Sequence, residues 1–326
     1  MDIGHHAAAM LVALVIDAVV GDPDGIWRRL AHPVAVIGAA IGWFDRRFNR
    51  LELDESVRRR RGVVAIAAIT LGAATVGWLL AFPFRDHGWG VLVEGAIGSI
   101  LLAQNSLYVH VARVRDAFSA GGLGAARHAV SMIVGRDPTK LDESGVACGA
   151  IESAAENFSD GVVAPVFWGL LFGLPGLFAY KAINTADSMI GHRTERHRAF
   201  GWAAARLDDL VNLPASRLSG AIVAFAALVT GRDWRAGLAA MRRDAGSHAS
   251  PNAGWPETAF AGALGIALGG PRVYSGVTRD LPYMNAAGRK TLTIGDIGEA
   301  LRLLRAACVV HAGLVALIAA AFLVTA

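Results

Sequence analysis

Three stretches of this chain gather side chains able to do chemistry. In the first, Glu152, Glu156 and Asp160 recur every fourth residue, which places them on one helix face. Carboxylates aligned this way repel one another unless a cation lies among them. Magnesium, which takes oxygen ligands, would satisfy them, as would arginine partners. The ordinary reading of such a cluster is a solvated helix face, but here the strongly apolar run from Val162 follows directly. The second stretch packs Lys181, Asn184, Thr185, Asp187 and Ser188 into two helical turns, with Lys181, Asn184 and Ser188 on a shared face. A snorkelling lysine at a polar helix end needs fewer donors and acceptors than this. An aspartate beside a lysine suits a metal next to a phosphate. The third stretch, Arg206 to Asn212, sets Asp208 and Asp209 beside an amide four residues on from Asp208. Asp-Asp pairs are common at surfaces, so alone this one carries little weight.

Other features are structural on their face. Ser250 to Glu257 reads as a rigid turn in which Pro251 and Pro256 fix the backbone and Gly254 permits a bend, displaying Asn252 and Trp255. A tryptophan packed at a membrane interface accounts for Trp255 equally well. Asp22-Pro23, His32-Pro33 and Arg136-Asp137-Pro138 form turns. Gly121 to Gly124 is a lone glycine cluster, and no GxxxxGK[ST] loop occurs.

These residues must be held by a largely apolar chain. Of its 326 residues, 54% are hydrophobic and only 18% charged, against about 25% charged in a soluble domain. The charges are confined to a few stretches, the pattern of spans and loops. Gly62–Phe84, Gly90–Val111 and Ala306–Ala326 are long enough to cross a bilayer, and the shorter Ala7–Val20 carries Asp17. Pro33–Phe44 reads as buried or interfacial. Val162–Tyr180, Leu218–Thr230 and Ala259–Leu268 lie between arginine-bearing loops, so re-entrant or membrane-face helices fit them better than single crossings. The N-terminus lacks the basic start and small-residue site of a cleaved leader.

The net charge of +4 comes mainly from arginines flanking apolar runs, as on the cytoplasmic side of an inner-membrane protein, and not from a nucleic-acid surface. This places a region from about 113 to 305 on the cytoplasmic face. Cys148 and Cys308 offer no basis for a disulfide or a cysteine metal site. Asp142 begins a helix near Gly145, a second helix runs from Pro175 to Gly191, and a third ends before Pro214. No strand alternation is visible. The expectation is an all-α polytopic membrane protein, a single membrane-embedded domain with short re-entrant or interfacial helices and cytoplasmic helical loops.

In order along the chain, GDP (21–23), HPVAVIG (32–38), GRDPTKLDE (135–143), IESAAENFSDGVVAPVFW (151–168), YKAINTADSMIGHR (180–193), FGWAAARLDDLVNLPASRL (200–218), SPNAGWPE (250–257) and GGPRVY (269–274) resemble the CobD/CbiB family. These are membrane proteins of cobalamin biosynthesis called cobinamide or cobinamide-phosphate synthases. The resemblance covers most of the chain. One departure is His192, where an aromatic residue is expected.

The resemblance implies an amide-forming ligase. It would join (R)-1-amino-2-propanol or its O-phosphate to the propionate carboxyl of the corrinoid adenosylcobyric acid. Hydroxide is a poor leaving group, so such a carboxylate needs activation. ATP, through an acyl phosphate, would supply it, with Mg2+ offsetting the phosphate charge.

The family does not assign residue roles; chemistry suggests them. Glu152, Glu156, Asp160, Asp187, Asp208 and Asp209 would hold metal and phosphate. Lys181 and Arg206 would neutralise developing charge, with Glu152, Glu156 and Asp187 also in the catalytic set. Asn157, Asn184, Thr185, Ser188, Asn212, Asn252 and Trp255 would contact corrinoid amides or the amine. Membrane lipid, and other late enzymes of the pathway, are the expected partners. Two rival classes are a membrane prenyltransferase, whose Asp/Asn motifs NTADS and LDDLVN loosely echo, and a non-enzymatic corrinoid transport or scaffold subunit. The first wants a regular set of full spans, and the second wants ionisable residues within its spans, where Glu94 stands nearly alone.

Overall fold

The computed structural model describes residues 3–135, 138–274, 277–279 and 281–324; the turn expected at Arg136-Asp137 lies outside them. The chain is built from helices, in order α1 (Ile3–Val20), α2 (Asp24–Trp27), α3 (Pro33–Phe48), α4 (Glu55–Ala81), α5 (Gly90–Ser99), α6 (Gln104–Ser131) and α7 (Glu143–Phe158). A π-helical turn, Ser159–Val163, joins α7 to α8 (Ala164–Ile190). Then follow α9 (Trp202–Val229), α10 (Trp234–Asp244), α11 (Gly254–Leu264) and, after a short stranded region, α12 (Ile294–Val324). Among the described residues, six helical stretches are long and apolar enough to cross a membrane. These are Ile3–Val20, Glu55–Ala81, Gly90–Ser131, Glu143–Ile190, Trp202–Val229 and Ile294–Phe322. Helix α4 leaves Val64, Leu71, Trp78 and Leu79 exposed, a surface that water would penalise and lipid would not. The protein is a polytopic helical membrane protein.

Local chemistry explains the helix ends. Asp142 accepts from the Gly145 amide at 2.7 Å and starts α7, as its position in the sequence implies. His32 Nδ1 accepts from the Val34 amide at 3.2 Å, with Pro33 at the first helical position of α3. Gly265, at φ 65°, ends α11 in the left-handed conformation.

Four details differ from the sequence-based expectation. Helix α9 runs through Pro214 instead of ending before it. A proline removes one backbone donor, here the one that would reach the Leu210 carbonyl, and beside that position the indole Nε1 of Trp168 donates to the carbonyl of Val211 at 3.0 Å. The apolar runs 162–180 and 218–230 are therefore not isolated short elements but parts of long helices. In α8 the break falls at Gly173 (φ 64°), just before the expected start at Pro175, and His6 Nδ1 donates to the Leu170 carbonyl beside it at 3.2 Å. Finally, strands exist. Leu268–Gly269 (β1) pairs with Tyr283–Met284 (β4), and Arg272–Tyr274 (β2) pairs with Val277–Arg279 (β3), both antiparallel. They are two or three residues long, too short for alternation to be read.

The chain forms two compact units. The first comprises Met1–Ala103, Ala164–Asn212 and Leu314–Ala326; the second comprises Gln104–Val163 and Leu213–Gly313. In the first, α4 packs along α8, α1 against α5 and α8, and α3 against both α4 and α8. Its core includes Ile41, Ile66, Ile69, Ala182, Ala186 and Phe200. Gly62 lets α4 approach the backbone of Phe200, where any Cβ would collide with the carbonyl. In the second, α10 packs on α11, and α7 lies against α6 and α11. A Cβ on Gly262 would sit 2.5 Å from the Ala236 carbonyl oxygen, so this helix pair depends on a small residue for its closeness.

Candidate active site

The first unit brings α8 and α9 together around Asp208 and Asn212. Asn212 is fully buried and Asp208 nearly so. Asn212 Nδ2 donates to Asp208 Oδ2 at 3.0 Å and to the Asp208 carbonyl at 3.2 Å. Asn184 Nδ2, from α8, donates to the other carboxylate oxygen at 3.3 Å. The hydroxyl of Tyr180 donates to Asn212 Oδ1 at 2.9 Å. One carboxylate is thus gripped by two amides, and one of those amides is itself oriented by a buried tyrosine. Tyr180 was absent from the sequence-based candidates, because an aromatic in an apolar run reads as core.

Asp187 lies within electrostatic range of Asp208, Asp209 and His192. The structure therefore collects Asn184, Asp187, Asp208, Asp209 and Asn212 in one place. Arg206 is committed to Asp209 at 3.1 Å on the exposed side of α9. The hydroxyls of Thr185 and Ser188 donate to carbonyls four residues back in their own helix, Lys181 at 2.7 Å and Asn184 at 3.0 Å. Such back-bonding is the default for these side chains in a helix.

Lys181 lines a cavity of about 420 Å3 with Asp22, His32, Val34 and the segment from Ile100 to Ala103. His32 Nε2 is 3.6 Å from Asp22 Oδ1, and the His32 ring meets Trp27 edge-on at 4.5 Å. The turns at Asp22 and His32, ordinary on sequence alone, are placed together with the one lysine of the polar α8 stretch. Only the distance between these motifs along the chain concealed this.

A second polar network in the same unit is structural. Asp45 Oδ2 accepts from Arg196 Nη2 at 2.8 Å and from its Nε at 3.1 Å, while Asp45 Oδ1 accepts from Asn49 at 2.7 Å. Asn49 Oδ1 in turn accepts from Arg58 Nε at 2.9 Å. Burial pushes the Asp45 carboxyl up, but the bonds from Asn49 and Arg196 and the Arg196 charge outweigh it and hold it below its ordinary 3.8.

The second unit carries Glu152, Glu156 and Asp160. Glu152 is buried, and its Oε1 accepts from the Gly269 amide at 2.8 Å and from Cys148 Sγ at 3.3 Å. It fastens β1 to α7. Glu156 and Asn157 are exposed and Asp160 is half-buried. Asn157 Nδ2 donates to Ser153, at the carbonyl (2.9 Å) and the hydroxyl (3.1 Å). The π turn starting at Ser159 widens the helix, so the four-residue face that joins Glu152 to Glu156 is displaced by the time it reaches Asp160.

The expected rigid turn at 250–257 is shorter than anticipated, because α11 begins at Gly254 and takes in Pro256. Asn252 is buried, and its Oδ1 accepts from the Ser216 hydroxyl at 3.1 Å and from Arg217 at 3.4 Å. Arg217 also lies over the Trp255 ring at 4.7 Å. These contacts brace the loop from within. Neither cysteine is in a disulfide.

Among the described residues, no three His, Cys, Asp or Glu side chains converge as a ready-made metal cage. Magnesium does not require one, since it is commonly held by one or two carboxylates together with substrate phosphates and water. Asp187 and Asp208 are two neighbouring carboxylates that could serve in this way.

A membrane-embedded helical protein with a buried carboxylate–amide cluster at the junction of two apolar helices is the class these features define. The CobD/Cbib protein family model matches residues 10–304. "Cobalamin biosynthesis protein CobD" of Sinorhizobium sp is 52% identical over 316 residues, covering 95% of this chain and 97% of that one. The protein of the same name from Rhizobium meliloti (strain 1021) is 50% identical, covering 92% of each chain. One from Rhodobacter capsulatus is 49% identical, covering 86% of this chain and 87% of its own length. No solved structure matches. This chain belongs to the CobD/CbiB family and is a cobalamin biosynthesis protein.

Proposed function

We propose that the protein joins (R)-1-amino-2-propanol, or its O-phosphate, to the propionate carboxyl of adenosylcobyric acid, giving adenosylcobinamide or its phosphate. The observation that carries this reading is the family match across residues 10–304. The Asp208 cluster supports a site for it. Formation of the amide expels the carboxyl oxygen. Transfer of the ATP γ-phosphoryl group to that oxygen turns it into a phosphate leaving group, and the free amine then attacks the carbonyl carbon. The amine loses a proton and inorganic phosphate departs, so one ATP is consumed per amide.

The residues of this chain would act by position and charge. Asp187 and Asp208 would hold Mg2+, which when bound offsets phosphate charge. Asn184 and Asn212 fix the Asp208 carboxylate, and Tyr180 fixes Asn212. Lys181 would place a cation beside the transferred group. Of Glu152, Glu156 and Asp160, Glu156 is the exposed one, whereas Glu152 is engaged with Gly269. The arginine-rich loops support a cytoplasmic orientation of this region in the cell membrane, where ATP and a polar corrinoid are at hand.

The test uses the whole protein in nanodiscs, supplied with adenosylcobyric acid, aminopropanol or its phosphate, ATP and Mg2+. Product is followed by mass. Asp187→Asn, Asp208→Asn and Glu156→Gln are expected to lower turnover on the order of 10²-fold. Wild-type turnover in the Asp187 and Glu156 variants would reject the residue assignment. Absence of an amide product with either amine would reject the function.

A further inference from the structure

The second unit contains a cavity that none of the chemistry above uses. It measures about 460 Å3 and is lined by residues of α6, α9 and α12, among them Tyr108, Arg115, Arg302, Arg305, Val229 and Val309. The lining combines two kinds of surface. Three guanidinium groups come from α6 and α12, and no carboxylate is among the lining residues. Around them are bare aliphatic side chains: Val309 is 67% exposed and Val229 57%.

The position of the cavity along its helices is informative. Helix α12 carries Arg302 and Arg305, then from Ala306 to Val324 has no Asp, Glu, Lys or Arg. Helix α9 is uncharged from Ser219 to Val229, and the chain turns basic again at Arg232. Both helices change from apolar to basic at the cavity, which marks the level where hydrocarbon meets headgroups. A tyrosine at this level is the usual interfacial anchor.

Two of the three arginines, Arg302 and Arg305, are held in place without being fully neutralised. Arg305 donates to the Tyr108 hydroxyl at 2.6 Å and lies over its ring at 4.7 Å; neither contact supplies a negative charge. Arg302 pairs with Glu299, which also accepts from Arg232 at 2.8 Å, so two cations share that one acid. Arg115 pairs with Asp116 at 2.8 Å. An ordered guanidinium whose partner is a neutral phenol is prepared for a phosphate oxygen. Exposed valines beside it suit acyl chains, whereas a free phosphate would have no use for them.

We propose that this cavity is a binding site for an anionic phospholipid. Its phosphodiester would lie against Arg302 and Arg305, and its acyl chains along Val229 and Val309. Basic pockets between membrane helices recognise acidic headgroups in this way.

The experiment reconstitutes the full-length protein in nanodiscs of mixed phosphatidylglycerol and phosphatidylcholine and counts retained lipid by native mass spectrometry. Wild type is expected to retain phosphatidylglycerol in several-fold excess. One basic residue beside an anionic headgroup is worth roughly fivefold in partition, so Arg302→Gln with Arg305→Gln should abolish the several-fold excess and bring the two lipids close to parity. The same two positions changed to lysine should retain most of it. Arg85→Gln, at an exposed turn of the other unit, should leave it unchanged. Equal retention of both lipids by wild type would overturn the proposal, and that comparison needs no variant to fold. An unchanged ratio in the double glutamine variant would overturn it too, as would an equal fall in the Arg85 control. Displacement of the lipid by millimolar inorganic phosphate would mark a small-anion site instead and also count against it.

Discussion

Replacing Asn212 by leucine keeps the branching and heavy-atom count of the side chain while removing the centre of the Asp208 cluster. Two buried groups then each lose a partner. The Tyr180 hydroxyl loses the oxygen it reaches at 2.9 Å, and Asp208 Oδ2 loses the amide that meets it at 3.0 Å. A stranded buried polar group costs ~1–3 kcal/mol, and more when it is charged, so the substitution is expected to destabilise by ~2–5 kcal/mol. Tyr180→Phe takes the hydroxyl donor from the Asn212 oxygen and is expected to cost ~1–3 kcal/mol. In the double variant the hydroxyl and its acceptor disappear together, leaving the Asp208 defect alone. Its cost should fall short of the sum by at least ~1 kcal/mol. Unfolding of the four proteins in nanodiscs would be followed by near-UV circular dichroism against denaturant, with unfolding rates compared if refolding fails. Costs that add to within ~0.5 kcal/mol would refute the idea that Tyr180 acts through Asn212. Turnover supplies a second readout. Tyr180→Phe should lower kcat through loosened Asp208 geometry, and Asn212→Leu should lower it further.

Other expectations are simpler to state. Lys181→Met should reduce amide formation on the order of 10²-fold while leaving the unfolding midpoint near that of wild type, because the lysine lines a cavity and not the core. Asp45 has a depressed carboxyl pKa, so its contribution to stability is present above the ordinary value of 3.8 and is lost as pH falls through the lower folded value. Asp45→Asn should therefore reduce stability at neutral pH and flatten the acid limb of a stability–pH curve; an identical acid limb in both proteins would count against the network. Gly262→Ala should cost ~1–3 kcal/mol by forcing α10 and α11 apart, read as a lower denaturation midpoint, since the new methyl group would sit 2.5 Å from a backbone oxygen that cannot rotate away.

Much was legible without coordinates. The uneven distribution of charge identified a polytopic membrane protein, because hydrocarbon excludes ionised groups whatever the fold. Asp142 was recognisable as a helix start, since capping is decided within four residues. The ordered motifs point to the CobD/CbiB family, whose model matches residues 10–304. Where reading failed, the deciding partner lay far along the chain. Pro214 looked like a helix end, yet Trp168 supplies a donor near the break from 43 positions away. Asn252 looked displayed and is buried against Ser216. Glu152 looked like one of three equivalent acids, but a strand amide 117 residues later claims it. Asp22 and His32 looked like ordinary turns until folding set them beside Lys181. Residue type and spacing thus determined which groups could do chemistry and that a membrane surrounds them. Only the tertiary structure decided which of those groups are already bonded to the protein itself, because a hydrogen bond depends on ångström-scale proximity between segments whose separation in sequence carries no trace of it.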